Sequence, residues 1–286
     1  GSTVVATSAL NVGANFNATG STLTTTGAAV DVSAGTLTGG ALAAASLNVN
    51  GTGGVSASGA TLTGDYTQNT SGTVDMGGSG ISAANVTLVG GAPTNTPTMT
   101  ATTAYTISNT TVSSNLGGAA ALTANGGTVT LSGTNSFAGA ANVTDGTLSV
   151  ASLANGGSNS ALGAGTSIGI GGTSTAGTLQ VTATGAASTD RAVSLGAGGG
   201  TINVSNAAGD VTASGGIAGS GGLTKTGSGK LTLSGTNLTY AGKTSVTGGE
   251  LALTSEPGAA PASFVSDQLS VDGGTLSAAT TFAIDD

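Results

Sequence analysis

Residues 127–135 read GTVTLSGTN, and residues 229–237 read GKLTLSGTN. The match continues beyond both: Phe137-Ala-Gly139 answers Tyr240-Ala-Gly242, Val143-Thr144 answers Val246-Thr247, and Gly146-Thr-Leu148 answers Gly249-Glu-Leu251, with one residue inserted near Leu238. Inside each copy apolar and hydroxyl residues alternate, Val129 and Leu131 about Thr130, Leu231 and Leu233 about Thr232, the period-two pattern of a half-buried strand. Two copies about a hundred residues apart, each holding several short strand-and-turn elements, indicate several coils per repeat rather than one.

A shorter element recurs around these copies: Gly35-Thr-Leu37, Gly72-Thr-Val74, Gly177-Thr-Leu179, Gly200-Thr-Ile202 and Gly274-Thr-Leu276. Glycine accepts the positive φ of a corner, threonine favours extended backbone, and the aliphatic residue points inward. Val129, Leu131, Leu148, Leu231, Leu233 and Leu251 are therefore expected in apolar columns, with Thr130, Thr232 and Ser132 turned to solvent. An antiparallel sandwich is the competing arrangement, and Asn50-Gly51, Asn125-Gly126, Asn155-Gly156, Asp145-Gly146 and Asp272-Gly273 would supply its hairpin turns. Long-period self-similarity with few aromatics favours stacked coils.

Composition narrows the chemistry. The 286 residues contain no His, Cys or Trp, only 6% are charged and only 2% aromatic. Imidazole and thiolate sites are thereby excluded, and with them most acid–base catalysis and zinc binding. A net charge of −8, with Arg191 the first basic residue along the chain, leaves no cationic stripe for nucleic acid. Mean hydropathy of +0.28 and 37% apolar residues argue for folding rather than disorder. With so few large side chains, Val, Leu, Ile, Ala and Thr must fill a narrow core in which each layer touches only its neighbours. No apolar run reaches membrane-helix length.

At residues 191–204 (RAVSLGAGGGTINV) and 215–251 (GGIAGSGGLTKTGSGKLTLSGTNLTYAGKTSVTGGEL) the sequence resembles the autotransporter-associated β-strand repeat, also called the passenger-associated transport repeat. The resemblance lies in the order of its parts: a glycine-rich Leu-Thr-Lys-x-Gly opening, a Leu-Thr-Leu-Ser-Gly-x-Asn rung, an aromatic-x-Gly corner and a closing Gly-x-Leu strand. The earlier copy is degenerate, with Leu122-Thr-Ala-Asn125 lacking the lysine, and Asp65-Tyr-Thr-Gln68 is similar to the family's Tyr-Thr-Gln coil. The resemblance implies an all-β, right-handed parallel β-helix, or β-solenoid, that is exported through an outer membrane and has a structural or adhesive role. The family's C-terminal β-barrel translocator is not recognisable in this sequence.

The expected organisation is a less regular solenoid segment over 1–116, with Pro93 and Pro97 in an excursion loop, followed by the repeat solenoid over 117–286. About 12 to 15 coils at about 4.8 Å each would make a rod of about 60 to 70 Å. Residues after Gly274 are read as parallel to those after Gly177, so that the stack stops in mid-repeat unless an element after Ala283 caps it.

Each candidate site has a simpler reading. Asp31, Asp65, Asp75, Asp145 and Asp210 are dispersed, whereas a glycosidase needs two carboxylates about 5 to 10 Å apart. Calcium rolls need an Asp in each Gly-Gly-x-Gly-x-Asp turn, and 198–201 and 221–224 contain none. No Lys-Ser or Lys-Thr follows the glycine-rich stretch 196–200 at P-loop spacing. Thr-x-Thr pairs at Thr22/Thr24, Thr36/Thr38, Thr61/Thr63, Thr128/Thr130 and Thr182/Thr184 are too irregular for an ice-binding array. Lys225, Lys230 and Lys243 read as solvated charges that discourage sideways strand pairing. The expectation is thus a non-catalytic shaft of a cell-surface adhesin or passenger, with no catalytic, cofactor-binding or metal residues and no cofactor. Its expected partners are a surface or polysaccharide ligand, or further copies of the chain stacked end to end. A self-assembling filament and a carbohydrate-active β-helix enzyme are the alternatives.

Overall fold

A computed structural model describes residues 2–69, 72–254 and 269–278, and every residue in them that forms regular structure is in a β-strand. Among the described residues the strands pair in parallel, and interior strands pair with one about a coil earlier and one about a coil later. The chain is a parallel β-solenoid, and the hairpin alternative falls because the Asn-Gly and Asp-Gly sites are not joined to antiparallel neighbours. Gly51, for example, takes a positive φ of 63° at a coil corner, with the backbone of Ser33 beneath it.

Two compact units are distinguished, one of residues 1–123 with 132–138, the other of 124–131 with 139–286. In the first, three sides are stacked. One side is formed by Ser2–Ala6, Ser21–Thr25, Leu42–Ala44 and Ala60–Leu62, a second by Leu10–Val12, Ala29–Val32, Ser46–Val49 and Asp65–Asn69, and a third by Phe16–Ala18, Thr36–Gly39, Gly54–Ser56 and Thr73–Asp75. In the next coils the corner between the first two sides straightens into single long strands, Ile81–Val89 and Thr98–Ser108. The segment holding Pro93 and Pro97 is no excursion. It completes the third side, where Thr94 bridges Asp75 and Gly78 donates to the Asn95 carbonyl.

The second unit repeats the plan. Gly177–Val181, Gly200–Val204, Leu223–Thr226, Thr244–Val246 and Leu269–Val271 form one side, and Ala186–Thr189, Asp210–Ala213, Lys230–Leu233, Glu250–Leu253 and Thr275–Ala278 form another. Inward columns follow from the register: Val30, Leu47, Tyr66, Val86 and Tyr105 in the first unit, and Val211, Leu231 and Leu251 in the second. All of these side chains are buried, as are Val129, Leu131, Leu148 and Leu233. Ser132 is exposed and Thr130 and Thr232 are half-buried, so the expected alternation holds.

The sequence repeat and the coil are out of phase. Leu148 and Leu251 are equivalent in the repeat, yet Leu148 stacks on Leu179, in the column that continues to Ile202, whereas Leu251 stacks on Leu231 in the other sheet. Gly274-Thr-Leu276 likewise lies on Gly249-Glu-Leu251, not on the side that carries Gly177-Thr-Leu179. The parallel drawn between these two segments therefore fails, because a Gly-Thr-Leu corner suits any side of the coil. The cap sought after Ala283 lies outside the described residues.

Candidate functional site

The groups with chemical potential fall into an outward set and an inward set. Outward in the first unit, carboxylates are bonded to amides about one coil away: Asn48 Nδ2 donates to Asp31 at 2.6 Å, Asn85 Nδ2 to Asp65 at 2.7 Å and Asn95 Nδ2 to Asp75 at 3.2 Å. Asp145 accepts from the Gly146 N–H at 2.8 Å, and Asp190 from the Gly156 N–H at 2.7 Å. Asp210 stands in register with Lys230, and Lys230 with Glu250, where an ion pair of 3.3 Å forms. A hydrogen bond from Ser277 at 2.6 Å, helped by Lys230, holds the Glu250 carboxyl below its usual range despite partial desolvation. This row borders an open groove of roughly 430 Å³ floored by Gly229, Gly249, Gly273 and Gly274. Each of these carboxylates thus faces a neutral donor or a lysine rather than a second carboxylate. Among the described residues no group of three His, Cys, Asp or Glu could hold a metal.

The outward hydroxyls of the second unit form a column, Thr147, Thr178, Thr201, Thr224, Ser245 and Ser270, one per coil. The Thr-x-Thr pairs do not stack with one another: Thr22 meets Thr3, and Thr24 meets Val5 and Ala43.

The inward set contains the feature that sequence reasoning missed. Lys225 occupies the column Leu179, Ile202, Lys225, Val246, with none of its surface exposed. Its Nζ donates to the carbonyls of Thr226 (2.7 Å), Gly227 (3.0 Å) and Gly248 (3.0 Å). Burial pulls its pKa down to about 8. The reading of Lys225 as a solvated surface charge is therefore wrong: the strand alternation Leu223, Lys225 places it inside, and the carbonyls of two successive corners replace water. Lys243 is exposed and Lys230 half-exposed, as solvated charges would be.

Arg191 is the second buried cation, 1% exposed. Its guanidinium donates to the carbonyls of Ala154 (3.1 Å), Leu162 (2.7 Å), Ser158 (3.3 Å) and Gly163 (2.7 Å), and to Ser160 Oγ (3.3 Å). Desolvation lowers its pKa, and the neighbouring Asp190 opposes that shift. The three tyrosines are also interior. Tyr66 donates to Gln68 Oε1 at 2.5 Å, and Gln68 Nε2 donates to the Gly72 carbonyl. Tyr105 Oη lies 2.7 Å from the Met99 and Gly117 carbonyls and accepts from the Ala101 N–H, while Tyr240 Oη meets Thr244 Oγ1 at 2.5 Å. Desolvation raises all three phenols, Tyr105 and Tyr240 to about 12.

The family model described as the passenger-associated-transport-repeat matches residues 124–150 and 223–253, the latter spanning Lys225, Gly248 and the carbonyl cage between them. A stretch of 121 residues is 46% identical to the adhesin BmaC autotransporter of Brucella suis biovar 1. Over these stretches the chain carries the repeat found in autotransporter passengers and is similar to one of them. The aligned stretch is 42% of this chain and 4% of the relative, so the chain spans a small fraction of the length of the adhesin it matches. No solved structure matches it.

Proposed function

We propose that this passenger segment is an extracellular, non-catalytic shaft of a cell-surface adhesin. The observation that carries this reading is where the scarce reactive groups lie: Lys225, Arg191 and the three tyrosines are buried and bonded to coil backbone or neighbouring side chains, while the outward columns are mostly small hydroxyls and amides. Such a distribution favours a rigid stack over a reactive cleft, and the similarity to an adhesin autotransporter points the same way. Beads coated with the chain should adhere to epithelial monolayers above albumin-coated beads, and the chain should not depolymerise pectin, chitin or polyuronates. Adhesion equal to albumin, or turnover abolished by replacing one Asp, would contradict this.

End-to-end association is a second reading. The inward position Val271 is 46% exposed on the outermost described coil of its unit, and a further coil, from this polypeptide or another, would cover it. Sedimentation should show association that weakens in Val271→Thr; no dependence on concentration excludes it.

A further inference from the structure

Most successive strands of the second unit return after one short coil, but Gly146 meets Gly177 only after an excursion over residues 151–166. Besides the five guanidinium bonds of Arg191, this loop takes a bond from Thr189 Oγ1 to the Ala154 carbonyl (3.0 Å), one from the Gly156 N–H to Asp190, and one from the Gly157 N–H to the Ala164 carbonyl (2.8 Å). Its Ser160–Gly163 limb is buried, while Asn155, Gly157, Ser158 and Asn159 are exposed. Among the described residues the Asn155 and Asn159 side-chain amides have no hydrogen-bond partner, and the loop itself bears no charge. A buried arginine is a costly way to fix a loop that only connects two strands. Fixing it in advance removes the ordering cost that a ligand would otherwise meet.

We infer that the Arg191-clamped loop is a recognition element whose Asn155 and Asn159 amides bind a neutral, hydroxyl-rich polysaccharide. Each amide offers a donor and an acceptor in one plane, which suits neighbouring sugar hydroxyls. Protein partners are usually gripped by exposed Tyr, Trp or Arg, and here Arg191 and all three tyrosines are buried. Anionic ligands would want a cationic patch, and the loop has none. The inference rests on the adhesin reading but can fail separately from it.

The full chain, Asn155→Ala/Asn159→Ala, Arg191→Met and, as a control, Lys243→Ala would be tested on immobilised mannan, dextran, heparin and laminin, and in the bead assay. The parent should bind mannan or dextran, the double variant at least tenfold more weakly and Lys243→Ala equally. Arg191→Met should lose binding and gain thermolysin cleavage within 151–166. Equal binding by the double variant, or binding to heparin or laminin alone, overturns the loop assignment. Bead adhesion that survives in the double variant also overturns it while leaving the adhesin reading intact, whereas a parent that adheres to nothing defeats both.

Discussion

Lys225 lies in an aliphatic column between Ile202 and Val246, no carboxylate among the described residues bonds to it, and its three acceptors there are all backbone carbonyls. Lys225→Met should fit the column but leave those carbonyls without their ammonium donor, costing about 1–3 kcal/mol in urea unfolding. Because burial lowers the folded pKa to about 8 from 10.5, the unfolded chain holds more protons between those values, and stability should rise with pH across that window. Tyr105 and Tyr240 act in the opposite sense, with folded pKa values of about 12 against 10, so their contribution is lost as pH climbs from about 10 to 12. Unfolding free energy followed across pH 7–12 should pass through a maximum near pH 10, and Lys225→Met should flatten the rising limb alone. A rising limb unchanged in the variant would show that the lysine is not its source. At Gly249 the φ of 63° and an added Cβ only 2.3 Å from the Gly229 carbonyl leave no room for a side chain. Gly249→Ala should cost about 1–3 kcal/mol from the backbone alone, with the collision adding to it.

At the scale of the strand, alternation specifies which residues face inward, and the column Val211, Leu231, Leu251 is legible directly from GKLTLSG and GGEL. Leu231→Ala should cost about 2–5 kcal/mol, because coils above and below restrict collapse into the cavity. The same substitution at the exposed Thr239 should change stability by less than about 0.5 kcal/mol. Alternation does not say which side of the coil a strand joins. Gly146-Thr-Leu148 and Gly249-Glu-Leu251 are near-identical locally but stack in different sheets, since straightened corners change how many residues each turn consumes. Nor does residue type disclose burial when backbone supplies the partners. Lys225 is inward by parity with Leu223, a signal that was available and was outweighed by its charge. The Arg191 clamp joins residues about thirty apart through backbone carbonyls, which carry no sequence signature.

At the scale of the whole chain, composition and repetition were enough to reach a parallel solenoid, because a 286-residue chain with 2% aromatics can hide its apolar surface only in thin layers. What holds each unit is coil-to-coil register, and the chain provides a clean background for testing it, since it has no cysteine. Asp31 and Asn48 are register partners in the first unit, Thr212 and Thr232 in the second. Partners on adjacent strands are about 4.8 Å apart, within the span a disulfide can bridge. Oxidation of Asp31→Cys/Asn48→Cys and of Thr212→Cys/Thr232→Cys should therefore give near-complete cross-linking in each unit. Asp31→Cys/Leu47→Cys and Thr212→Cys/Leu233→Cys, in which the second thiol turns into the core, should remain reduced. Cross-linking in the displaced pairs and not in the register pairs would contradict the stacked parallel solenoid itself.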